Sequence, residues 1–480
     1  MAVACGHGFT VLVTEQGDLL TCGRGDSGQL GLGDTAHQLL PVHVGGRELF
    51  FGQPLVLVAA GRRHTAGVAK DGAVWSWGEG YYSQLGDREP RQRPERLDRD
   101  MFGGSPAVMV ACGSRHTMVL NAAGCVWTYG SGSFGQLGHG NKADKLVLTL
   151  VVAERFKGAQ IVMLAAGGHH SVALGAEGKV WTWGWNSHGQ LGHNDLQDRL
   201  VPTQLEGEAL GGAAAVLVAA GEKYSVAVMI AGALWVWGNG HFGQLGLGDR
   251  EDRLVPVRVG AEDKFGARVI TAACGNDHTL AVTTAGVLWS WGKGKHGILG
   301  HNDDSNRLVP TQVEVQHFDH GKIVSATAGD THSAVVTEHG GLYTWGMGTF
   351  PEEEEESDEE DAEEEKVPGG LGHSYGETKF VPTLVVPALL QGARVGCCHE
   401  LLPLHALAFA MGTHERLGRA AQTVLASTDH GKDCEYLSMP GELVQRIVEA
   451  CGALPEGRAG ELEGVVRLLG GGMFAESGRT

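Results

Sequence analysis

Short apolar runs punctuated by glycine fill the chain from its start to about residue 410. In runs such as Ala334-Val335-Val336, and Val74-Trp75-Ser76-Trp77-Gly78, the alternation and brevity fit half-buried strands better than amphipathic helices. Each run of the first kind leads through a Gly-containing turn into a Trp-rich run of the second, which predicts a β-hairpin. No long helical period separates successive hairpins, so the expected fold class is all-β with antiparallel sheets.

The pattern is also periodic. Val74 to Gly78 recurs as Val126 to Gly130, Val180 to Gly184, Leu234 to Gly238, Leu288 to Gly292 and Leu342 to Gly346, after a weaker opening copy from Leu19 to Gly23. The closing glycines are 23, 78, 130, 184, 238, 292 and 346, so the steps are 55, 52 and then 54 residues. A second signature precedes each: Gly61-Arg62-Arg63-His64-Thr65, Gly113 to Thr117, Gly167 to Ser171, Gly275 to Thr279 and Gly329 to Ser333. Tyr224 and Phe9 replace the histidine in the copies that begin at Gly221 and Gly6. A third follows, Gly28-Gln29-Leu30-Gly31 and its copies at Gly135, Gly189 and Gly243, then Arg-Leu-Val-Pro from Arg199, Arg253 and Arg307. Motifs that return in phase seven times require one structural unit per step.

Together these motifs resemble the repeats of the regulator of chromosome condensation family. The resemblance covers roughly residues 1–410 and implies a seven-bladed β-propeller. Residues 411–480 are then a short, helical C-terminal extension. A single blade cannot bury both faces alone and must pack against its neighbours around an axis. All eleven tryptophans lie in or beside the Trp-rich motif, where their expected role is to fill the space between blades. Trp185 differs, because it follows Gly184 in a loop. Gly396 and the run from His405 to Ala410 look like an eighth copy of the Gly/His half. The N- and C-terminal strands are therefore expected to meet in one shared blade, which would remove exposed sheet edges.

Composition narrows the function. Glycine, 76 of 480 residues, is about twice the usual ~7 %, in keeping with many tight turns. The formal charge of −19, without a basic arm, argues against direct nucleic-acid or anionic-membrane binding. Nine scattered cysteines without metal spacing fit reduced thiols. No leader-like start or long apolar run is present, so a cytoplasmic protein, with the nucleus also open to it, is expected.

Several signals look chemical. Four segments fit G-x-G-x-x-G (from Gly23, Gly130, Gly238 and Gly292), but they recur in phase and run into a Gln-Leu-Gly turn instead of the helix that a dinucleotide needs. Arg24-Gly25-Asp26 sits in the same turn. Nine of the 23 histidines occupy two repeat positions, five in the Gly/His motif and four in a Leu-Gly-His turn at His139, His193, His301 and His373. Symmetry spreads these around a ring, too far apart to share one ion. Structural hydrogen bonds to loop backbone are the expected role. No catalytic, cofactor or metal residues are assigned.

Function is expected in the variable residues of the repeat, because loops carry binding while blades carry packing. Inside the Gly-x-x-His frame these are Arg62-Arg63, Ser114-Arg115, Gly168-His169, Glu222-Lys223, Asn276-Asp277 and Asp330-Thr331. The candidates are Arg62, Arg63, Arg115, Lys223, Asp277, Asp330 and the loop residue Trp185. They suggest a face positive on early blades and negative on late ones, suited to oriented protein docking. Plant ultraviolet-B photoreceptors carry similar repeats, with tryptophan in a Gly-Trp-Arg-His-Thr motif, and no copy here has tryptophan at that place. Twelve acidic residues crowd the insertion 351–366, where mutual repulsion favours an extended, disordered loop that could capture a basic segment, and Ser357 there is a possible phosphosite. Ser438 to Val448 reads as a capped amphipathic helix resembling the first helix of an F-box, and a second short helix is expected from Glu461 to Leu469. The expected function is a non-enzymatic protein-binding scaffold. The family resemblance implies guanine-nucleotide exchange on a small GTPase as one alternative, and recruitment to a ubiquitin ligase is another.

Overall fold

The computed structural model describes residues 3–97, 104–260, 264–350, 367–368, 370–373 and 377–385. Within them lie seven four-stranded antiparallel sheets. Each is a meander of consecutive chain, blades 1 to 7 spanning residues 3–43, 55–96, 107–151, 161–204, 215–258, 269–312 and 323–384. In blade 4, for example, Ile161–Ala166 is the inner strand, His170–Gly175 and Val180–Gly184 form the hairpin, and Arg199–Gln204 is the outer strand. Inner strands of neighbouring blades touch all the way round, and the first touches the seventh. The seven-bladed propeller read from the repeats is the observed fold.

Closure differs from the expectation. Val3–Cys5 already supplies blade 1 with its own inner strand, and Lys379–Leu384 completes blade 7, so the described blades share no strand. The ring closes through side chains: Val3, Cys5, Leu12 and Leu20 pack against Ala334, Val336 and Leu342. The eighth motif copy at 396–410, both expected helices and the acidic insertion lie outside the described residues. A two-stranded ribbon, Thr349–Phe350 with Val367–Pro368, brackets the insertion.

The repeated residues form one bonding pattern. In blades 2, 4, 5, 6 and 7 the tryptophan just before the closing glycine inserts its indole into the preceding blade and donates Nε1–H to a turn carbonyl there: Trp77 to Gln29 at 2.9 Å, Trp183 to Gln136 and Trp237 to Gln190 at 2.8 Å, Trp291 to Gln244 and Trp345 to Ile298 at 2.9 Å. The hydroxyl after the Gly/His motif donates to the same carbonyl, as Ser171 does to Gln136 at 2.8 Å. These indoles are fully buried. At about 25 cal/mol per Å2 over some 200 Å2, each contributes roughly 5 kcal/mol of gross burial.

The histidines link neighbouring blades at five of the seven junctions. Nε2 of His64, His116, His170, His278 and His332 lies 2.8–3.1 Å from the hydroxyl of Thr117, Ser171, Ser225, Ser333 and Thr10, each on the next blade. These partners are side chains, not the loop backbone anticipated. Each such hydroxyl spends its single proton on a turn carbonyl, so the histidine must donate and be the neutral Nε2–H tautomer. Nδ1 of all five is then a buried acceptor without a partner, and burial lowers all five, to about 3 in His64, His170 and His278 and to about 4 in His332. Tyr224 spans its junction instead, its phenol donating to the His278 carbonyl at 2.5 Å. The motif glycine is sterically required, since a Cβ on Gly61 would sit 2.4 Å from the His64 ring and 2.5 Å from the Gly113 carbonyl.

Candidate protein-binding face

Two loops of every blade emerge on one face. The residue after the closing glycine of each Trp-rich strand donates its N–H to the second variable residue of the Gly-x-x-His motif, as Glu79 does to Arg63, Ser131 to Arg115, Trp185 to His169, Asn239 to Lys223 and Lys293 to Asp277, all at 2.9 Å. This ties both variable loops into one rigid surface. The first variable residue turns toward the axis and the second lies further out.

Around the axis, Arg62, Ser114, Glu222, Asn276 and Asp330 rim an opening to which all seven blades contribute. His7 Nδ1 lies 2.7 Å from Asp330 Oδ2, and the Ser114 hydroxyl donates to Glu222 Oε2 at 3.1 Å from two blades away. Burial pushes Glu222 up, and Asp330 adds to the effect. Burial would raise Asp330 too, but its bond to His7 and the His7 and Arg62 charges hold it below the usual carboxylate range.

Further out, cations and rings alternate from blade to blade. The Arg115 guanidinium stands 4.0 Å above the Tyr82 ring, Lys223 Nζ 5.4 Å from Trp185, and Lys293 Nζ 4.7 Å from Phe242. Between them His169 lies tilted against Phe134 at 5.1 Å, and Trp185 packs against Phe134, His169 and His188. Burial first, and then Arg115, Arg62 and Lys223, lower His169 to about 4, so it contributes a ring and no charge at neutral pH. In each pair the cation comes from the blade after the ring. The result is an aromatic–cationic arc of three contact groups over blades 2 to 6, rich in the residue types that dominate binding energy at protein interfaces.

The predicted residues therefore separate into groups. Arg115, Lys223 and Trp185 belong to the arc, Arg62 and Asp330 to the axial rim, and Arg63 lies near Asp26 of blade 1, whose carboxyl it helps hold low. Asp277 is 3.2 Å from Lys293 of its own blade, so the expected swing to negative charge on late blades is offset where it should begin. Ser357 lies outside the described residues. Sequence reading passed over Tyr82, Phe134, Phe242 and Lys293, although the position just before the Gln-Leu-Gly turn holds Tyr82, Phe134, His188, Phe242 and His296 in phase. Among the described residues no group of side chains is arranged to hold a metal ion, and no helix is long and apolar enough to cross a membrane.

Residues 1–264 match the RCC1-like domain, and residues 285–336 match the regulator of chromosome condensation (RCC1) repeat. The chain belongs to the RCC1 family. Its similar proteins include the ultraviolet-B receptor UVR8 of Arabidopsis thaliana, 37 % identical over 62 % of this chain and 66 % of the receptor. The human E3 ubiquitin-protein ligase HERC2 is 31 % identical over 70 % of this chain but only 7 % of the ligase. The chain thus spans just under two thirds of the receptor and a small part of the ligase. Among solved structures, human WBSCR16 superposes with a TM-score of 0.63 at 25 % identity, covering 70 % of this chain and 87 % of that one. Yeast RCC1 (Prp20), bound to Kap60, gives 0.64 at 22 % identity, covering 77 % and 83 %, a likeness of fold.

Proposed function

We propose that this RCC1-family propeller is a non-enzymatic protein-binding regulator whose partner docks on the face built by the Gly-x-x-His and Trp-Gly loops. The observation that carries this reading is the arc in which Arg115, Lys223 and Lys293 are held by neighbouring rings. Preorganised cations lose little side-chain freedom on binding, and aromatic bodies beneath them supply apolar contact. The partner surface that fits is acidic with exposed apolar or aromatic residues, while Glu222 at the axis suits one projecting basic side chain. Charge reversal at Arg115, Lys223 and Lys293 should weaken partner binding by about tenfold or more and flatten its salt dependence, with little change in thermal stability because the Lys293–Asp277 pair it breaks lies at the surface. Unchanged binding in that variant refutes the reading.

Nucleotide exchange on a small GTPase is the alternative that the family supplies, and recruitment to a ubiquitin ligase is the other. Regular repeat steps leave no insertion before residue 350 to act as a projecting wedge. Accelerated nucleotide release from a panel of small GTPases would establish exchange. Co-purification of a cullin adaptor, lost on deleting residues 432–480, would establish recruitment.

A further inference from the structure

The outer strands on the rim form a series with internal controls. In blades 1, 2, 4, 5, 6 and 7 each has six residues with proline fourth: Pro41, Pro94, Pro202, Pro256, Pro310 and Pro382. Proline gives a neighbouring strand no N–H, and charges discourage pairing, which is how natural sheets blunt an exposed edge. Blade 2 shows both devices in Arg91-Gln92-Arg93-Pro94-Glu95-Arg96.

Blade 3 has neither in the body of its strand. Lys145–Val151 reads Lys-Leu-Val-Leu-Thr-Leu-Val and is seven residues long, with Leu148 at the proline position. The ladder break common to the outer strands falls between Lys145 and Thr149, and the regular stretch beyond it runs one pair further than in blade 4. Leu148 and Val151 are buried, but Leu146 is 48 %, Val147 54 %, Leu150 38 % and Val152 46 % exposed. Aliphatic, β-branched, uncharged and proline-free, this is the composition of a strand that accepts another strand.

We infer that the outer strand of blade 3 is a docking edge for an extended, aliphatic segment of a partner protein, which adds a fifth strand along the regular stretch 149–152, beyond Val147, whose carbonyl already accepts the Thr149 hydroxyl. Main-chain bonds would supply affinity, and Leu146, Val147 and Leu150 would select alternating apolar side chains. A second copy fits poorly, because two convex rims meet along little more than one strand each, well short of the ~1,200 Å2 that stable interfaces bury. An extended segment has no such constraint. This rim site is separate from the loop face.

The test uses the full chain and a fluorescein-labelled peptide of alternating valine and threonine with glutamate ends, against the same peptide with proline at alternate positions. Fluorescence anisotropy should show saturable binding of the first alone, and hydrogen exchange should show new protection at residues 149–152. Replacing the strand with blade 2 residues (L146Q, V147R, L148P, T149E, L150R) should weaken binding by about tenfold or more. The smaller pair V147R and L150R, at exposed positions, serves if the full replacement misfolds. Binding no tighter than the proline control, or binding that survives the replacements, overturns the inference. So does a dimer in light scattering that the replacements disperse, since the occupant is then a second copy. Peptide binding that appears only after deletion of residues 386–480 also overturns it, by assigning the edge to the chain's own C-terminal region.

Discussion

Lowering the pH from 7 to 5 should strongly destabilise the ring through its histidines. His64, His116, His170, His278 and His332 are all buried and all lowered from 6.5, to about 3 in three of them and to about 4 in His332. Because the folded values lie below the unfolded value, the unfolded chain binds more protons between the two. Stability is complete above pH 6.5 and falls as acid is added. At pH 5, 1.5 units below 6.5, keeping each of His64, His170, His278 and His332 neutral costs about 2 kcal/mol. Together these four, with His116 acting in the same direction, approach a typical domain's stability, roughly 5–15 kcal/mol. Carboxylates held low, such as Asp330 and Asp303, act only nearer pH 4, and Glu222, raised, acts in the opposite sense. Urea unfolding at pH 7, 6 and 5 should show a steep loss, equivalent to several protons taken up on unfolding. His278→Phe, a ring that Phe9 already accommodates at the same repeat position, should reduce that slope by about one proton and cost about 1–2 kcal/mol at pH 7. Stability flat between pH 7 and 5, or a slope unchanged by His278→Phe, would refute the reasoning.

Other outcomes follow from the same frame. Trp237→Phe keeps most of the apolar contact but loses the Nε1–H bond to Gln190, and should cost about 1–2 kcal/mol in urea unfolding, against roughly 3–5 for Trp237→Ala. Gly113→Ala would drive a Cβ to 2.3 Å from the His116 ring and 2.5 Å from the Gly167 carbonyl, so the melting temperature should drop sharply, whereas Gly158→Ala, with open space around it, should cost only about 1 kcal/mol for its left-handed backbone. Burial pushes the Cys5 and Cys22 thiols up to about 12, so in the folded protein both should resist iodoacetamide at pH 8 and react once urea unfolds it, as peptide mass mapping would show.

Much of the architecture was legible because it is written seven times. A blade cannot stand alone, so the residues that join blades recur at the blade period, and Trp77, His64 and Gly61 stand out for that reason. What one repeat could not show is the partner on the next. The indole Nε1–H bonds and the imidazole–hydroxyl bonds run between blades, so the sequence suggested burial and polar satisfaction but named the wrong acceptor for histidine. The arc eluded reading for the same cause: Arg115 belongs to one motif and Tyr82 to another, a blade earlier, and only the offset of adjacent blades stacks them. Counting an eighth Gly/His half led to a shared blade, whereas three residues, Val3–Cys5, already complete the first sheet.

The repeat divides into a frame that holds the ring and a face that binds. Partner capture per folded molecule, measured in parallel for the reversal of Arg115, Lys223 and Lys293 and for the frame variant His278→Phe, tests that division most directly. The predicted result is capture strongly weakened with stability little changed in the first, and stability lowered with capture intact in the second. Equal capture by the two, or loss of capture confined to the frame variant, would contradict it.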